Sequence, residues 1–314
     1  PLGLLRPTRL PFGVSTAMAI FQEKIDKTLF GIPNTVCRVD DICITGRNDK
    51  EHRDNVTKVI NRLEQTGYRC RLDKCEFYKD SVIYLGHKVS SQGISPVEDK
   101  VKTLKEAPYP ENLSELVSFI GAINYYGKFI PNMSMIAEPL NRLRGSGVKW
   151  NFGAEQKKAF DTLKLVLSSD KVLVQYDPDL PIKVDSDASK AGLGAVISHI
   201  YPDGSERPIE YASRSLNAAE KNYGQIEKEA LSLVWAAKKF HRYIFARKFE
   251  LVTDHKPLKF LLGENKQIPE MGVSRIQRWG VHYSLVISIR LSLEPHLIIV
   301  MQTYVPDFTY VHRI

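Results

Sequence analysis

The sequence predicts a multidomain chain that mixes the α+β and α/β classes. Its 314 residues leave room for about two domains at ~150 residues each, and 43% hydrophobic with 25% charged residues is the balance of a chain that builds cores. Strand-like and helix-like periodicities alternate at first, give way to helices after Ser95-Pro96, and return as β, β, β, α, β, α from Leu180. Acidic residues stand at the ends of several strand-like runs. A wholly disordered chain is excluded. Lys and Arg number 44 against 36 Asp and Glu, a net charge of +8 that weakly favours a polyanionic partner.

Taken in order, Arg9-Leu10-Pro11-Phe12-Gly13 is a turn signal. A helix follows, with Ala17, Ile20, Phe21, Lys24, Ile25 and Leu29 at spacings of three and four. Val36 to Thr45 is β-rich and interrupted by Asp40-Asp41. Asn48 to Thr66 reads as an amphipathic helix with Val56, Val59, Ile60 and Leu63 on one face, stopped by Gly67. Ser81 to Leu85 and Lys88 to Ser90 read as short strands around Gly86-His87. Helices are expected over Val97–Glu106, from near Asn112 with Ser114 as cap, over about 132–144, and over 154–168 with Phe160, Leu163 and Leu167 inward. Residues 145–151 read as a linker. Pro181–Asp187, Gly192–Ile200 and Pro208–Ser213 read as strands, with Pro202-Asp203-Gly204 in the turn between the last two. A long helix is expected over about 217–243, a strand over Phe249–Thr253 and a short helix over His255–Leu262. The alternation Leu285, Ile287, Ile289, Leu291, Leu293 would suit an edge strand.

Cys37, Cys43, Cys70 and Cys75 form no C-x-x-C pair and read as reduced thiols, neither a disulfide framework nor a zinc site. The longest apolar run, Leu297–Met301, falls far short of the ~20 residues of a membrane helix. The first residues carry no initiator Met and no signal-peptide pattern, and read as the middle of a longer open reading frame.

Val39-Asp40-Asp41-Ile42 places two carboxylates in a β-rich run. Neighbouring strand residues face opposite ways, so both approach one ion only at a turn. Buried together they would repel unless a divalent cation neutralised them. The bland reading is a solvated Asp-Asp turn. A stronger set is Asp187 at a strand end, Glu229 at the edge of the helical stripe Ile226, Ala230, Leu233, Ala237, and Asp254 at the next strand end. Alone, each is an ordinary cap or turn residue, and Asp254 would suit an N-cap. Together they suit two Mg²⁺ ions ~4 Å apart that activate water and stabilise the leaving oxygen of a phosphodiester.

These residues stand among others that together resemble a known family. Arg9-Leu10-Pro11-Phe12-Gly13, Ala17 and Phe21-Gln22 resemble the nucleotide-site segment of gypsy-type LTR-retrotransposon reverse transcriptases. Val39-Asp40-Asp41-Ile42 resembles their Y-x-D-D-I motif, and Tyr84-Leu85-Gly86-His87 their primer grip. Phe119-Ile120-Gly121, Asn124-Tyr125-Tyr126, Phe129-Ile130-Pro131 and Pro139-Leu140 resemble the thumb. Asp187-Ala188-Ser189, Tyr223 with Ile226-Glu227-Lys228-Glu229, and Thr253-Asp254-His255 resemble the attached RNase H domain. The resemblance covers about residues 5–279.

It implies a partial palm over 1–95, a helical thumb over 96–145, a connection over 146–180, an RNase H-like mixed sheet with helices over 181–279 and a divergent tail over 280–314. By the same resemblance Asp40, Asp41, Asp187, Glu229 and Asp254 are catalytic metal ligands for Mg²⁺, with Mn²⁺ as substitute. Phe12, Gly13 and Gln22 shape the nucleotide pocket, and Leu85, Gly86 and His87 grip the primer. Implied partners are RNA template, DNA primer, RNA–DNA hybrid, dNTPs and the protease and integrase parts of a parent polyprotein, in an intracellular setting (a virus-like particle or the nucleus), with no membrane. Lys128, Arg142, Arg144 and Lys149 are expected to meet phosphates or to form a solvated face.

Three departures shape the expected activity. The family's third polymerase Asp lies upstream of this chain's start, so primer extension is expected to be negligible. Arg38 replaces the motif's tyrosine. Similarity stops near Arg278-Trp279, and Glu294 and Asp307 are the only acids of the tail, so the fourth RNase H acid is not matched. The alternative reading is a non-catalytic nucleic-acid-binding remnant or degenerate copy.

Overall fold

The computed structural model describes residues 13–169, 172–253, 287–292 and 297–303. The chain divides into two compact units, Pro1–Val89 and Ser90–Ile314. Phe12, Asp254 and the helix expected over 255–262 lie outside the described residues.

The first unit runs α1 (Ala17–Leu29), β1 (Thr35–Arg38), β2 (Asp41–Ile44), α2 (Asp49–Gln65), β3 (Ser81–Tyr84) and β4 (His87–Ser90), which ends at the boundary. Its core is Ile25, Leu29, Ile32, Val59 and Leu63, with Phe21, Cys37 and Ile42 packed against it. The helix α2 starts where the Asn48 side chain accepts the Glu51 N–H at 2.9 Å. Its buried face differs from the expected stripe. Ile60 is 46% exposed, and Asn55 is 1% exposed in the inward row with Val59 and Leu63. Asn55 earns that place by donating to the Thr45 carbonyl at 3.1 Å, which ties α2 to the chain beyond β2.

Cross-strand pairing of Arg38 with Asp41 closes β1–β2 over a two-residue turn, Val39-Asp40. A second two-residue turn separates β3 from β4. Leu85 and Gly86 both have positive φ there, 46° and 68°. That geometry is the one in which Asn-Gly is usual, so Gly86 fits and Leu85 is held against its preference. His87, expected in the turn, is instead the first residue of β4.

The second unit opens with β5 (Gly93–Pro96), a third short strand that the sequence periodicity did not reveal. Helices α3 (Glu98–Glu106), α4 (Leu113–Tyr125), α5 (Met133–Ile136), α6 (Glu138–Arg142) and α7 (Ala154–Leu167) follow. The cap of α4 is Asn112, which accepts the Glu115 N–H at 3.0 Å, and not the expected Ser114. The single helix expected over 132–144 is broken at Ala137, and Pro139 sits in the first turn of α6, where its missing N–H costs nothing. These helices share a core in which the Phe119 and Phe160 rings stack at 4.0 Å, with Leu116, Ile123, Leu140 and Leu163 around them.

The rest of this unit is β6 (Ile182–Ala188), β7 (Gly192–Ile200), β8 (Glu206–Ser215), α8 (Ala218–Lys221), α9 (Gln225–Lys239), α10 (His241–Ile244), β9 (Lys248–Thr253), β10 (Ile287–Ser292) and β11 (Leu297–Thr303). The long helix expected over 217–243 is three. Gly224 caps α9, with the Glu227 carboxylate accepting its N–H at 2.9 Å. The strand order is β10-β11-β9-β6-β7-β8. Only β6 and β9 pair in parallel, and the other neighbours are antiparallel. The stripe Ala230, Leu233 and Ala237 of α9 packs on Ile182 and Val184 of β6. The expected edge strand within 285–293 is β10, at the sheet's end, while β11, expected only as an apolar run, lies between it and β9.

Candidate functional site

In the first unit, Asp40 and Asp41 stand side by side at the β1–β2 turn, both exposed. Both carboxylates are open to water, as in a solvated turn, so the repulsion that burial would bring does not arise. Val39, just before them, has φ +56°. A left-handed conformation costs an L-residue about 1–2 kcal/mol, and more crowding attends a β-branched one. Neighbours hold it there. The Gln22 Oε1 of α1 accepts the Val39 N–H at 2.8 Å. The Gln22 Nε2 donates to the Cys37 carbonyl at 3.1 Å and to Asp26 Oδ1 at 2.7 Å. The Cys37 thiol donates to the Val39 carbonyl at 3.4 Å. Burial, with Asp26, Asp40 and Asp41 adding, pushes that thiol up to about 11, so it stays protonated at neutral pH. Burial also pushes the Tyr84 phenol up, with the Asp41 carboxylate adding and the Arg38 guanidinium opposing. Gly13 is exposed ahead of α1, and the His87 Nδ1 lies 2.8 Å from the Leu85 carbonyl.

In the second unit, β6 turns Val184 and Ser186 toward α9, where Ser186 Oγ meets Ser232 Oγ at 3.2 Å. Strand alternation sends Lys183, Asp185 and Asp187 to the other face. There Asp185 and Asp187 line a cleft of about 370 Å³ with Asn132, Gly194, Tyr211 and Thr253. Asn132 Oδ1 lies so close over Gly194 that a Cβ there would force the Asn132 side chain to shift. Asp187 is exposed. Burial pushes the Asp185 carboxyl up, opposed by the Lys183 ammonium 3.4 Å away. Glu229 lies on the α9 side and is 3% exposed. The Gln225 Nε2 donates to Glu229 Oε1 at 2.7 Å and to the Ala188 carbonyl at 3.1 Å. One amide thus ties Glu229 to the residue after Asp187. The two acids reach the same end of β6 from opposite layers of the sheet. Gln225 was not singled out from sequence; its position one helical turn before Glu229 was the available signal.

The expected phosphate-contacting cations divide. Arg142 is occupied by Glu138 at 3.1 Å and Glu155 at 2.8 Å, so it is partly neutralised. Burial pulls the Lys128 ammonium down, with Glu210 opposing, and it lies 5.2 Å over the Phe129 ring. Arg144 donates to Asn141 Oδ1 at 3.0 Å.

Carboxylates are hard oxygen donors and suit a hard divalent cation in kind. Asp187 and Glu229 are donors of that kind near one end of β6, on opposite faces of the sheet. No group of three or more His, Cys, Asp or Glu side chains that could hold a metal occurs among the described residues.

A mixed sheet backed by helices, with an acid at a strand end and another on the covering helix, is consistent with the fold of an RNase H-like domain. Residues 152–251 match the RNase H-like domain found in reverse transcriptase, and residues 3–89 match the reverse transcriptase (RNA-dependent DNA polymerase) family. The chain is homologous to retrotransposon Pol polyproteins, which fits the gypsy-type resemblance. It is 37% identical over 279 residues to the retrovirus-related Pol polyprotein from transposon 297 of Drosophila melanogaster, covering 88% of this chain and 25% of that protein. It is 32% identical over 284 residues to the transposon Tf2-3 polyprotein of Schizosaccharomyces pombe, covering 89% and 21%. The chain therefore spans about a quarter of the length of these relatives. Among solved structures, it is similar to a foamy viral protease-reverse transcriptase in complex with dsDNA, with TM-score 0.72 and 25% identity over 88% of this chain and 57% of that one. The same kind of protein in complex with an RNA/DNA hybrid gives TM-score 0.69 and 26% identity over 88% and 37%.

Proposed function

We propose that the chain serves as the reverse transcriptase and RNase H part of a retrotransposon Pol protein, acting on primer–template and on RNA–DNA hybrid. The observation that carries the reading is that Gln225 ties the buried Glu229 to the Ala188 carbonyl, next in the chain to Asp187, inside the segment that matches an RNase H-like domain. The foamy viral structures with dsDNA and with RNA/DNA hybrid support a duplex as partner.

In this reading Asp187, Glu229 and Asp254 hold Mg²⁺ or Mn²⁺ for hybrid cleavage, and Asp40 and Asp41 hold it for DNA synthesis. When bound, such an ion supplies Lewis-acid activation of water and of the leaving oxygen in phosphodiester chemistry. The chain's own residues prepare the ground. Gln225 fixes the buried Glu229 carboxylate against β6. The cleft beside Asp187 offers Asn132 and Tyr211 as polar rim groups. Phe12, Gly13 and Gln22 border the incoming dNTP, and Leu85, Gly86 and His87 hold the primer end. RNA is selected over DNA through its 2′-OH. The palm, thumb, connection and RNase H-like divisions belong to the same reading, as do an intracellular setting and protease and integrase parts encoded in the same polyprotein.

The test is cleavage of an end-labelled RNA–DNA hybrid by the purified chain, in Mg²⁺ and in Mn²⁺. Cleavage that disappears in Asp187→Asn, with hybrid binding kept, supports the reading. Hybrid binding without cleavage in either metal would overturn the hydrolytic part and leave a non-catalytic binder.

A further inference from the structure

We infer that Gln22 is the positioning residue of the β1–β2 hairpin tip, holding Val39 in its left-handed conformation and thereby setting where the Asp40 and Asp41 carboxylates point. Its consequence for chemistry rests on the reading of those two acids as metal ligands.

The hairpin demands such a device. A two-residue turn with positive φ at its first position alone is the type in which glycine normally stands first. Here the first position is Val39, at φ +56°, and Asp40 is not among the positive-φ residues. Left alone, a β-branched residue would leave this region and carry the following acid with it, since the backbone of residue 39 sets the direction of residue 40.

Gln22 opposes that escape from a neighbouring rigid element. It projects from α1, and its amide makes three hydrogen bonds. Oε1 takes the Val39 N–H at 2.8 Å, while Nε2 gives to the Cys37 carbonyl at 3.1 Å and to Asp26 Oδ1 at 2.7 Å. The Asp26 bond, one helical turn on, fixes the amide's orientation, so the oxygen and not the nitrogen meets the Val39 N–H. Both Nε2 hydrogens are thereby spent inside the protein. The other end of residue 39 is held too, its carbonyl accepting from the Cys37 thiol at 3.4 Å. The polar end of Gln22 is therefore committed to the hairpin it braces.

The test is a substitution cycle in the full chain, labelled with ¹⁵N at valine and aspartate and read by NMR. Gln22→Ala should speed hydrogen exchange at the Val39 amide by ~10-fold or more, shift the Asp40 and Asp41 amide signals and weaken their broadening by Mn²⁺. Val56 and Val59 of α2 report that the unit stays folded. Glycine tolerates positive φ without help, so in a Val39→Gly background Gln22→Ala should leave the Asp40 and Asp41 signals and their broadening nearly unchanged. Unchanged Val39 exchange in Gln22→Ala, or equal disturbance of Asp40 and Asp41 with and without Val39→Gly, would overturn the inference. Absence of Mn²⁺ broadening in the wild-type chain would instead overturn the metal reading of the two acids. The brace would then be decided by exchange and by the rescue of the amide signals.

Discussion

Removing the Gln225 side chain amide isolates the link between Glu229 and β6. Its short bond to the Glu229 carboxylate, 2.7 Å, is charge-assisted, a kind of bond that contributes about 1.5–3 kcal/mol. Its bond to the Ala188 carbonyl, 3.1 Å, is neutral and contributes about 0.5–1.5 kcal/mol. Gln225 itself is exposed, so water replaces part of what is lost. The expected cost of Gln225→Ala is about 1–2 kcal/mol. With a urea slope of about 2 kcal/mol/M, the midpoint falls by about 0.5–1 M. Fluorescence of Trp235, packed against the sheet core from α9, follows the transition. Gln225→Glu removes the donor to Glu229 and sets a second carboxylate against it, and should cost more than Gln225→Ala at pH 7. A midpoint shift below about 0.2 M for Gln225→Ala, together with no excess for Gln225→Glu, would refute the claim that this amide holds Glu229.

Three further outcomes are expected. Phe160 is fully buried and stacked on Phe119 at 4.0 Å, so Phe160→Ala should cost about 3–5 kcal/mol, read by urea unfolding of the full chain. With its thiol raised from 9.0 to about 11, Cys37 should resist iodoacetamide below pH 9, while exposed Cys70 and Cys75 react, as peptide mapping would show. A raised thiol favours the folded state below the unfolded value, and that contribution disappears as pH climbs from about 9 to about 11. The Tyr243 phenol, pushed up to about 12 by burial and by Glu210, donates to Glu210 at 2.9 Å. Tyr243→Phe should cost about 1 kcal/mol by thermal unfolding, because Arg242 still holds the Glu210 carboxylate at 2.7 Å.

Much of this architecture was legible in residue patterns, and the misses have local causes. The three antiparallel strands β6, β7 and β8 showed as apolar runs divided by turn residues, and β7 starts and ends where its pattern does. Asp40-Asp41 showed as a hairpin because β-branched residues flank it. The conformation of Val39 did not show, since valine is the wrong residue for its φ and only a glutamine on another element keeps it there. The breaks in the 217–243 helix hid for a similar reason. Gly224 alone marks the first, and its effect depends on the Glu227 carboxylate folding back onto it. Asn55 was invisible as a core residue because its burial depends on the Thr45 carbonyl. Asp187 and Glu229 stood out in the sequence through their company of motifs. That Gln225 ties Glu229 to the Ala188 carbonyl, beside Asp187 in the chain, is a property of the packed helix and strand.

The central claim is that Asp187 and Glu229 work as one site. Single-turnover cleavage of an RNA–DNA hybrid by the wild-type chain, Asp187→Asn, Glu229→Gln and the double variant tests it most directly. Groups that act as a unit are non-additive. Each single substitution is therefore predicted to slow cleavage by ~100-fold or more, and the double variant to be no slower than the slower single. Losses that multiply in the double variant, or cleavage that survives either single substitution, would contradict the account.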